Sequence, residues 1–415
     1  MKDLPLPDIL DLEGKRVLMR VDLNVSLEKD GTISDDTRIR GMIPTVRKVL
    51  DQNGTVILMS HFGRPKEKGD PECSLERIVD ELSGLLGVQV RFIQDCIGED
   101  VEKEVNAAEP GSLFLLENLR YYDEEKKGDR DFARQLAALG DVYINDAFGV
   151  VHRPHASVAV VPAFYEVGCR AFGYLMRAEL AHIDKALLEP ERPFAAVIGG
   201  AKVSDKIGTI MSLMKRVDHL LIGGAMAYTF IKAQGANTGG SKVETDKLEM
   251  AGQIFEKAEE FGNHLHLPVD TIIADQFSND ANIDKCPIDD IPEGWMGMDL
   301  GPDSIEAHRR ILLDASTIIW NGPMGVFEME NFQKGTLAIA EATAEGTDRG
   351  AFSLVGGGDS LSAINRFGLR DRIGFVSTGG GAMLEYIEGK ELPGLAAMTD
   401  QASVSSDPGQ VSSKS

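Results

Sequence analysis

The sequence predicts an α/β protein built from two doubly wound parallel-sheet domains joined by a helix. Three observations predict it. Short aliphatic and β-branched runs recur along the chain, and each ends in a polar or glycine-rich turn that opens a segment of helical spacing. Buried strands alternating with helices give parallel sheets covered on both faces. At 415 residues the chain is too long for one ordinary core and points to about two domains. A helical pattern near the middle supplies the joint.

In the first half the strand runs are residues 16–21, 55–59, 113–116 and 142–144. The second half offers 194–198, 219–222, 271–274, 317–320, 352–355 and 373–376. Between them "GYLMRAELAHIDKALL" places Leu175, Met176, Leu180, Ile183 and Leu187 at helical spacing, and "EPERP" stops it. A helix there is a fairly rigid connector. Wound in this way, both halves are Rossmann-like. The final "QASVSSDPGQVSSKS" is polar and serine-rich and reads as a disordered tail.

Hydrophobic residues make up 43% of the chain, enough for two cores. The longest apolar stretches fall far short of the roughly 20 residues that span a bilayer. "MKDLPLPDILDLEGKR" lacks the apolar run of a signal peptide. A soluble, cytoplasmic protein is expected. Cys73, Cys96, Cys169 and Cys286 are widely spaced without a C-x-x-C pair, as befits reduced structural thiols. Acidic residues outnumber basic ones 66 to 43, for a net charge of -23. Such a surface repels nucleic acid, so any anion site must be a local basic concentration on an acidic body.

Ligands of open α/β sheets bind beyond the carboxyl ends of the strands. In the first half those ends carry cations and hydrogen-bonding groups. "VDLNVS" places Asp22 and Asn24 two apart, on one face if the strand continues, and "SHFGRP" supplies His61 and Arg64. "LLENLR" supplies Arg120, "GVVHRPH" supplies His152 and Arg153, and "SDDTRIR" adds Arg38. Four arginines and a histidine at strand exits make a cationic basin suited to a small, highly charged anion such as a phosphorylated acid. Taken alone, Asp22 and Asn24 also read as the solvated face of an edge strand, and Arg38 as an exposed partner of Asp35 or Asp36.

In the second half the exits carry glycine: "VIGGAKVSDK", "LIGGAMAYTF", "IWNGPMGVFE", "LVGGGDS" and "VSTGGGA". Glycines there let a flat, phosphorylated ligand such as a nucleotide approach the backbone. Lys202 and Lys206 are four apart and, on a shared helix face, suit phosphate oxygens. Asp359 is a lone carboxylate of the kind that holds Mg²⁺ already chelated by nucleotide phosphates. No G-x-x-x-x-G-K-[ST] occurs, so the cations come from other turns. A phosphoryl group bridging the halves would meet Arg38 from one side and Lys202 from the other, with backbone donors at 379–381. His152 with His155, and His264 with His266, are better read as non-metal than as ligands, since each pair lacks a nearby third group.

With "VDLNVS", "DDTRIR", "SHFGRP", "LLENLR", "INDAFGVVHR", "GGAKVSDKI", "WNGPMGVFE", "VGGGDS" and "VSTGGGAMLEYIEGKELPG" in order, the chain resembles the phosphoglycerate kinases over residues 15–395. The resemblance implies reversible, Mg²⁺-dependent transfer of a phosphoryl group from 1,3-bisphosphoglycerate to ADP, giving ATP and 3-phosphoglycerate. It implies a monomer whose two domains close on a hinge over a cleft, in direct in-line transfer. It assigns 1–172 to the 3-phosphoglycerate domain, 173–189 to the joining helix, 190–385 to the nucleotide domain and 386–400 to a segment returning to the first domain, with 401–415 as tail. Substrate contacts fall to Asp22, Asn24, Arg38, His61, Arg64, Arg120 and Arg153. Nucleotide contacts fall to Lys202, Lys206, Asn321, Pro323, Val326, Glu328, Gly357, Gly358, Asp359 and Ser360, with Asp359 toward Mg²⁺. Catalysis is assigned to Arg38, Lys202, Gly357 and Gly380.

Ser26, Phe62, Ala225 and Pro154 depart from the family's usual residues, and none removes a charge. The "SHFGRP" and "QDCIG" forms are similar to archaeal members. A dehydrogenase is disfavoured because no G-x-G-x-x-G with a following acid is present. An inactive nucleotide-binding relative should have lost charge from one side, whereas Arg38, Lys202 and Asp359 all remain. A kinase for another phosphorylated acid is separable only by testing substrates.

Overall fold

The computed structural model describes residues 5–28 and 30–399, which form two compact units. One unit runs to Ala178 and takes up the chain again at Glu391; the other is Glu179–Lys390. The boundary falls inside the helix Tyr174–Leu188. The serine-rich tail, 401–415, lies outside the described residues.

The first unit holds strands β1 (Arg16–Arg20), β2 (Thr55–Met59), β3 (Arg91–Ile93), β4 (Leu113–Leu116), β5 (Val142–Asn145) and β6 (Arg170–Phe172). They form one sheet in the order β3-β4-β2-β1-β5-β6, parallel throughout. Every residue of β2, β4 and β5 is buried, which is why these runs are apolar without alternation. Each such Val, Ile or Leu contributes about 1.5–3 kcal/mol by leaving water. The chain winds outward from β1 to one side and then crosses to β5 on the other. The exits of β1 and β5 therefore flank a topological switch point, where open α/β sheets bind ligands. β1 is central, so Asp22 and Asn24 do not belong to an edge strand, and both follow the strand's end at Arg20.

Past β5, the buried Asp146 carboxylate accepts from Thr45 Oγ1 at 2.6 Å and from the Met176 amide at 3.0 Å. It thereby satisfies an otherwise orphaned N–H in the first turn of the Tyr174–Leu188 helix. The helix Pro393–Thr399 returns to this unit, where the Gly394 amide donates to the Val151 carbonyl at 2.8 Å.

The second unit carries β7 (Phe194–Ile198), β8 (His219–Ile222), β9 (Asn237–Thr238), β10 (His264–His266), β11 (Asp270–Ala274), β12 (Ile283–Pro287), β13 (Asp290–Ile291), β14 (Met296–Leu300), β15 (Thr317–Asn321), β16 (Phe352–Gly356) and β17 (Phe375–Val376). Its main sheet has the order β10-β8-β7-β15-β16-β17, again all parallel, with the switch between β7 and β15. One expected parallel strand is otherwise: residues 271–274 fall in β11, which pairs antiparallel with β12 and β14 in a separate sheet. Asp275 supplies the reason. Its carboxylate accepts from the Asn282 amide at 3.0 Å and from Asn282 Nδ2 at 2.7 Å, so the chain turns straight back. A parallel partner would have required a crossover of a dozen or more residues.

Gly173 leaves room for the Asp146 carboxyl, and a Cβ there would stand 2.1 Å from Asp146 Cγ. Gly173→Ala should therefore destabilise the protein by about 1–3 kcal/mol in urea unfolding, the usual cost of overpacking. An unchanged midpoint would contradict this account of the helix start.

Candidate active site

Asp22, Asn24, Arg38, His61, Arg64, Arg120 and Arg153 all line one cavity of about 260 Å³ in the first unit. Gly63, Gly149, Val150 and His152 complete the wall. Each charged group is held by a loop that follows a strand, or by the first turn of the helix Thr37–Asp51. The Arg38 guanidinium donates to the Asn24 carbonyl and stands 3.6 Å from Asp22 Oδ2, while Asp36 pairs with Arg40. Asn24 Oδ1 accepts from the Gly63 amide at 2.8 Å, and Arg120 donates to the Gly63 carbonyl at 2.9 Å. Asn118, fully buried, accepts from the Phe62 and Arg120 amides and donates to the Phe62 and Cys73 carbonyls. The "SHFGRP" turn is thus fixed from both sides. Arg64 and Arg153 remain exposed and make no ion pair among the described residues.

Beneath the cavity lies a group that sequence reasoning missed. Arg20, the last residue of β1, is fully buried; it donates to Ser157 Oγ at 2.9 Å and to the Val21 carbonyl, and approaches His61 Nδ1 at 3.2 Å. Burial and the neighbouring Arg20, Arg120 and Arg38 push His61 well below the usual histidine range. A neutral imidazole accepting at Nδ1 carries its proton on Nε2, ready to donate. Burial lowers Arg20 and Arg120 as well. The nearby carboxylate is Glu125, itself fully buried, which accepts from Ser157 Oγ at 2.6 Å and from its amide at 2.9 Å.

In the second unit a cavity of about 550 Å³ opens beside the glycine turns. Of the residues assigned to nucleotide contact, Pro323, Val326, Glu328 and Asp359 line it. Tyr228, Phe277, Met296 and Met298 add to its apolar wall, and of these only Tyr228 lies in a motif the sequence singled out. Lys206, Asn321 and Ser360 hold an adjoining pair of turns, and Gly357 lies against Asn321. Lys206 Nζ donates to Asn321 Oδ1, Asn321 Nδ2 donates to the Gly356 carbonyl at 2.7 Å, and Ser360 Oγ accepts from the Gly322 amide at 2.6 Å. Two turns approach so closely that a Cβ at Gly199 would stand 2.2 Å from the Pro323 carbonyl oxygen. Gly357 (φ 99°) caps the helix Gly358–Arg366, and Gly380 (φ 49°) precedes the helix Gly381–Ile387.

The expected shared helix face of Lys202 and Lys206 is not present. The helix begins at Ile207, Lys206 is its N-cap at φ -127°, and Lys202 lies exposed in the preceding loop. Glycines at 199 and 200 let the chain run in close contact with the next turn before it coils, which delays the helix start. Burial lowers the Lys206 ammonium to about 8, with Asp359 and Asp205 opposing the fall. Asp359, exposed in the first turn of its helix, makes no hydrogen bond or ion pair among the described residues, so its oxygens remain available to a cation. Among the described residues no group of three or more His, Cys, Asp or Glu is placed to hold a metal.

A cationic basin in one doubly wound unit and a glycine-lined cavity in the other define a two-domain α/β protein that handles phosphorylated ligands. A family model described as phosphoglycerate kinase matches residues 6–390. The phosphoglycerate kinase of Chloroherpeton thalassium is 51% identical over 393 residues, covering 95% of this chain and 98% of that one. A cytosolic phosphoglycerate kinase of Arabidopsis thaliana is 50% identical over 390 residues, covering 94% and 96%. Among solved structures, the Coxiella burnetii enzyme matches with TM-score 0.83 and 40% identity, covering 96% of this chain and 99% of that one. The archaeal Pyrococcus horikoshii enzyme matches at 0.82 and 31%, covering 94% and 97%. The chain belongs to the phosphoglycerate kinase family. It is a phosphotransferase of glycolysis that exchanges a phosphoryl group between 1,3-bisphosphoglycerate and ADP, and membership implies the use of ATP and magnesium.

A lysine whose folded pKa lies below its unfolded value of 10.5 destabilises the fold fully below about pH 8, and the burden is relieved as pH rises from about 8 toward 10.5. An NMR titration of ¹³Cε-labelled lysines should show one resonance with a midpoint near 8 that Lys206→Met removes. Uniform titration near 10.5 would contradict the burial of this ammonium.

Proposed function

We propose that the 260 Å³ cavity takes 3-phosphoglycerate and its acyl phosphate, and that the 550 Å³ cavity takes the nucleotide. The observation that carries this reading is the convergence of four arginines and a neutral histidine on one small cavity, with Arg38 and Arg120 oriented by backbone carbonyls and Arg38 also by the Asp22 carboxylate. In this reading residues 1–172 serve the acid and 190–385 the nucleotide, the 173–189 helix joins them, 386–400 returns to the first domain, and the protein acts as a cytoplasmic monomer.

The chemistry follows from the charges. A transferring phosphoryl group spreads negative charge over its equatorial oxygens, and catalysis is mostly positioning and charge stabilisation. Arg64, Arg120 and Arg153 hold the non-reacting phosphate of the acid, while His61 donates through Nε2 to one of its oxygens. Asp22 and Asn24 keep the Arg38 guanidinium aimed at the reacting end rather than collapsed onto solvent. On the nucleotide side, Lys202 and Lys206 meet phosphate oxygens. Anion binding recharges Lys206, because an opposite charge favours the protonated form of a buried amine. Pro323, Val326, Glu328 and Asn321 border the nucleoside, and Gly357, Gly358 and Ser360 form the phosphate turn. Asp359 fits Mg²⁺ as one carboxylate of a shell otherwise made of phosphate oxygens and water; the ion supplies charge neutralisation at the phosphates. Hinge bending brings the acid and nucleotide into line, so that Arg38, Lys202 and the backbone at Gly357 and Gly380 surround the group in transit, with no covalent enzyme intermediate.

A coupled assay with 3-phosphoglycerate, ATP and Mg²⁺ tests this reading. Arg38→Ala should lower turnover by roughly 10³-fold or more, as for other arginines that stabilise a transferring phosphoryl group, and EDTA should abolish activity. A loss below about tenfold would remove Arg38 from the reaction. Label from ATP retained on the quenched protein would contradict direct transfer.

A further inference from the structure

The second unit contains a third cavity, of about 730 Å³, at the opposite ends of its strands from the glycine turns. Its walls are the residues just before or at the start of β7, β8 and β10 together with the C-terminal end of the helix Ile207–Met214. Arg192, Lys215 and Arg216 face it against a single carboxylate, Asp218, on a chain of net charge -23. That carboxylate is already engaged: one oxygen pairs with Arg192 and the other accepts from the Phe194 amide at 2.7 Å. Arg192 also donates to the Arg216 carbonyl at 3.0 Å, which ties the two basic segments together.

Basic residues at a helix end ordinarily answer the partial negative charge of its carbonyls. Arg216 does so, donating to the Ser212 carbonyl at 2.8 Å. Lys215 does not: it is exposed and makes no hydrogen bond or ion pair among the described residues. Beside it His219 and His264 are register partners on adjacent parallel strands, so their rings share a face of the sheet and stack with centroids 5.3 Å apart. His219 Nδ1 meets His266 Nε2 at 3.0 Å. Burial and the neighbouring His264 lower His219 from the usual histidine range, with Asp218 and Asp314 opposing the fall. The Phe261 ring, 38% exposed, forms an apolar side of the same groove.

We propose that this groove is a second anion site, for a small phosphorylated or pyrophosphorylated molecule. Lys215 and Arg216 take the phosphate oxygens, His219 and His264 donate ring N–H groups, and Phe261 covers the less polar part of the ligand. The helix Ile207–Met214 runs from Lys206 to this groove, so an occupant bears on the element that begins at the buried lysine. The inference stands apart from the assignment of the other two cavities, since it uses none of their residues.

Imidazole C–H resonances of the full chain test it, with His219 and His264 assigned through His219→Gln and His264→Gln. Pyrophosphate and, separately, inorganic phosphate are titrated in at pH 7 and matched ionic strength. Saturable shifts of the His219 and His264 signals are expected, with Lys215→Gln raising the half-saturating concentration by about fivefold or more and Lys215→Arg restoring it. Tighter saturation by pyrophosphate would identify a diphosphate ligand, and equal saturation a monophosphate; either supports the site. Shifts confined to His61 and His152, or a non-saturating drift reproduced by sodium chloride, would overturn it.

Discussion

The candidate site depends on holding positive charges close together on an acidic chain without letting them fly apart or collapse onto carboxylates. Arg38, Arg64, Arg120 and Arg153 share one small cavity, and Arg20 is buried behind it. Like charges a few ångströms apart repel by about 4 kcal/mol per pair at an effective dielectric near 20. The fold offsets this in three ways. Asp22 and the buried Glu125 place negative charge beside the arginines, backbone carbonyls of Val21, Asn24 and Gly63 accept from their guanidinium groups, and His61 stays uncharged. The remaining positive field is directed at the opening, where only an anion can neutralise it.

Such an arrangement requires loops from several strands to end at one place, and the parallel sheet provides this. Because all six strands of the first unit run the same way, the exits of β1, β2, β4 and β5 lie along one edge. The antiparallel sheet of β11, β12 and β14 serves differently, supplying Met296 and Met298 to the side of the second cavity. There the site is built mainly from backbone proximity: Gly199 and Gly322 let two turns touch, and only a residue without a Cβ fits. Lys206 becomes a responsive cation because it is buried beside Asn321, close enough to Asp359 to feel its charge.

Strands buried on both faces were legible because burial leaves an uninterrupted apolar run, and the runs at 55–59, 113–116, 194–198 and 219–222 end at the residues the sequence indicates. The short edge strands β3, β6 and β10 were not, since three residues carrying Arg or His give no such run. Polar residues at strand exits stand out against apolar neighbours, so Asp22, Asn24, His61, Arg64, Arg120 and Arg153 could be picked out, whereas Arg38, in the first turn of a helix, was marked only by its motif. Arg20 could not, because inside a strand a single arginine gives no sign of being buried, and Glu125 lies in a charged helix that reads as solvated. The direction of β11 depended on a turn made by one aspartate and one asparagine, a local hydrogen-bond choice invisible to periodicity. The wall residues Tyr228, which belongs to the core, and Phe277, which lies exposed in a loop, carry no pattern that marks a cavity.

The central claim is that the cationic basin is held under mutual repulsion until a multiply charged acid arrives. Calorimetric unfolding at constant ionic strength, with and without 3-phosphoglycerate, tests it most directly. The account predicts that saturating acid raises the unfolding temperature, by a free energy of about 2.7 kcal/mol at a hundredfold excess over Kd, and that the gain shrinks as salt is added. An unfolding temperature indifferent to 3-phosphoglycerate, or a gain indifferent to salt, would contradict it.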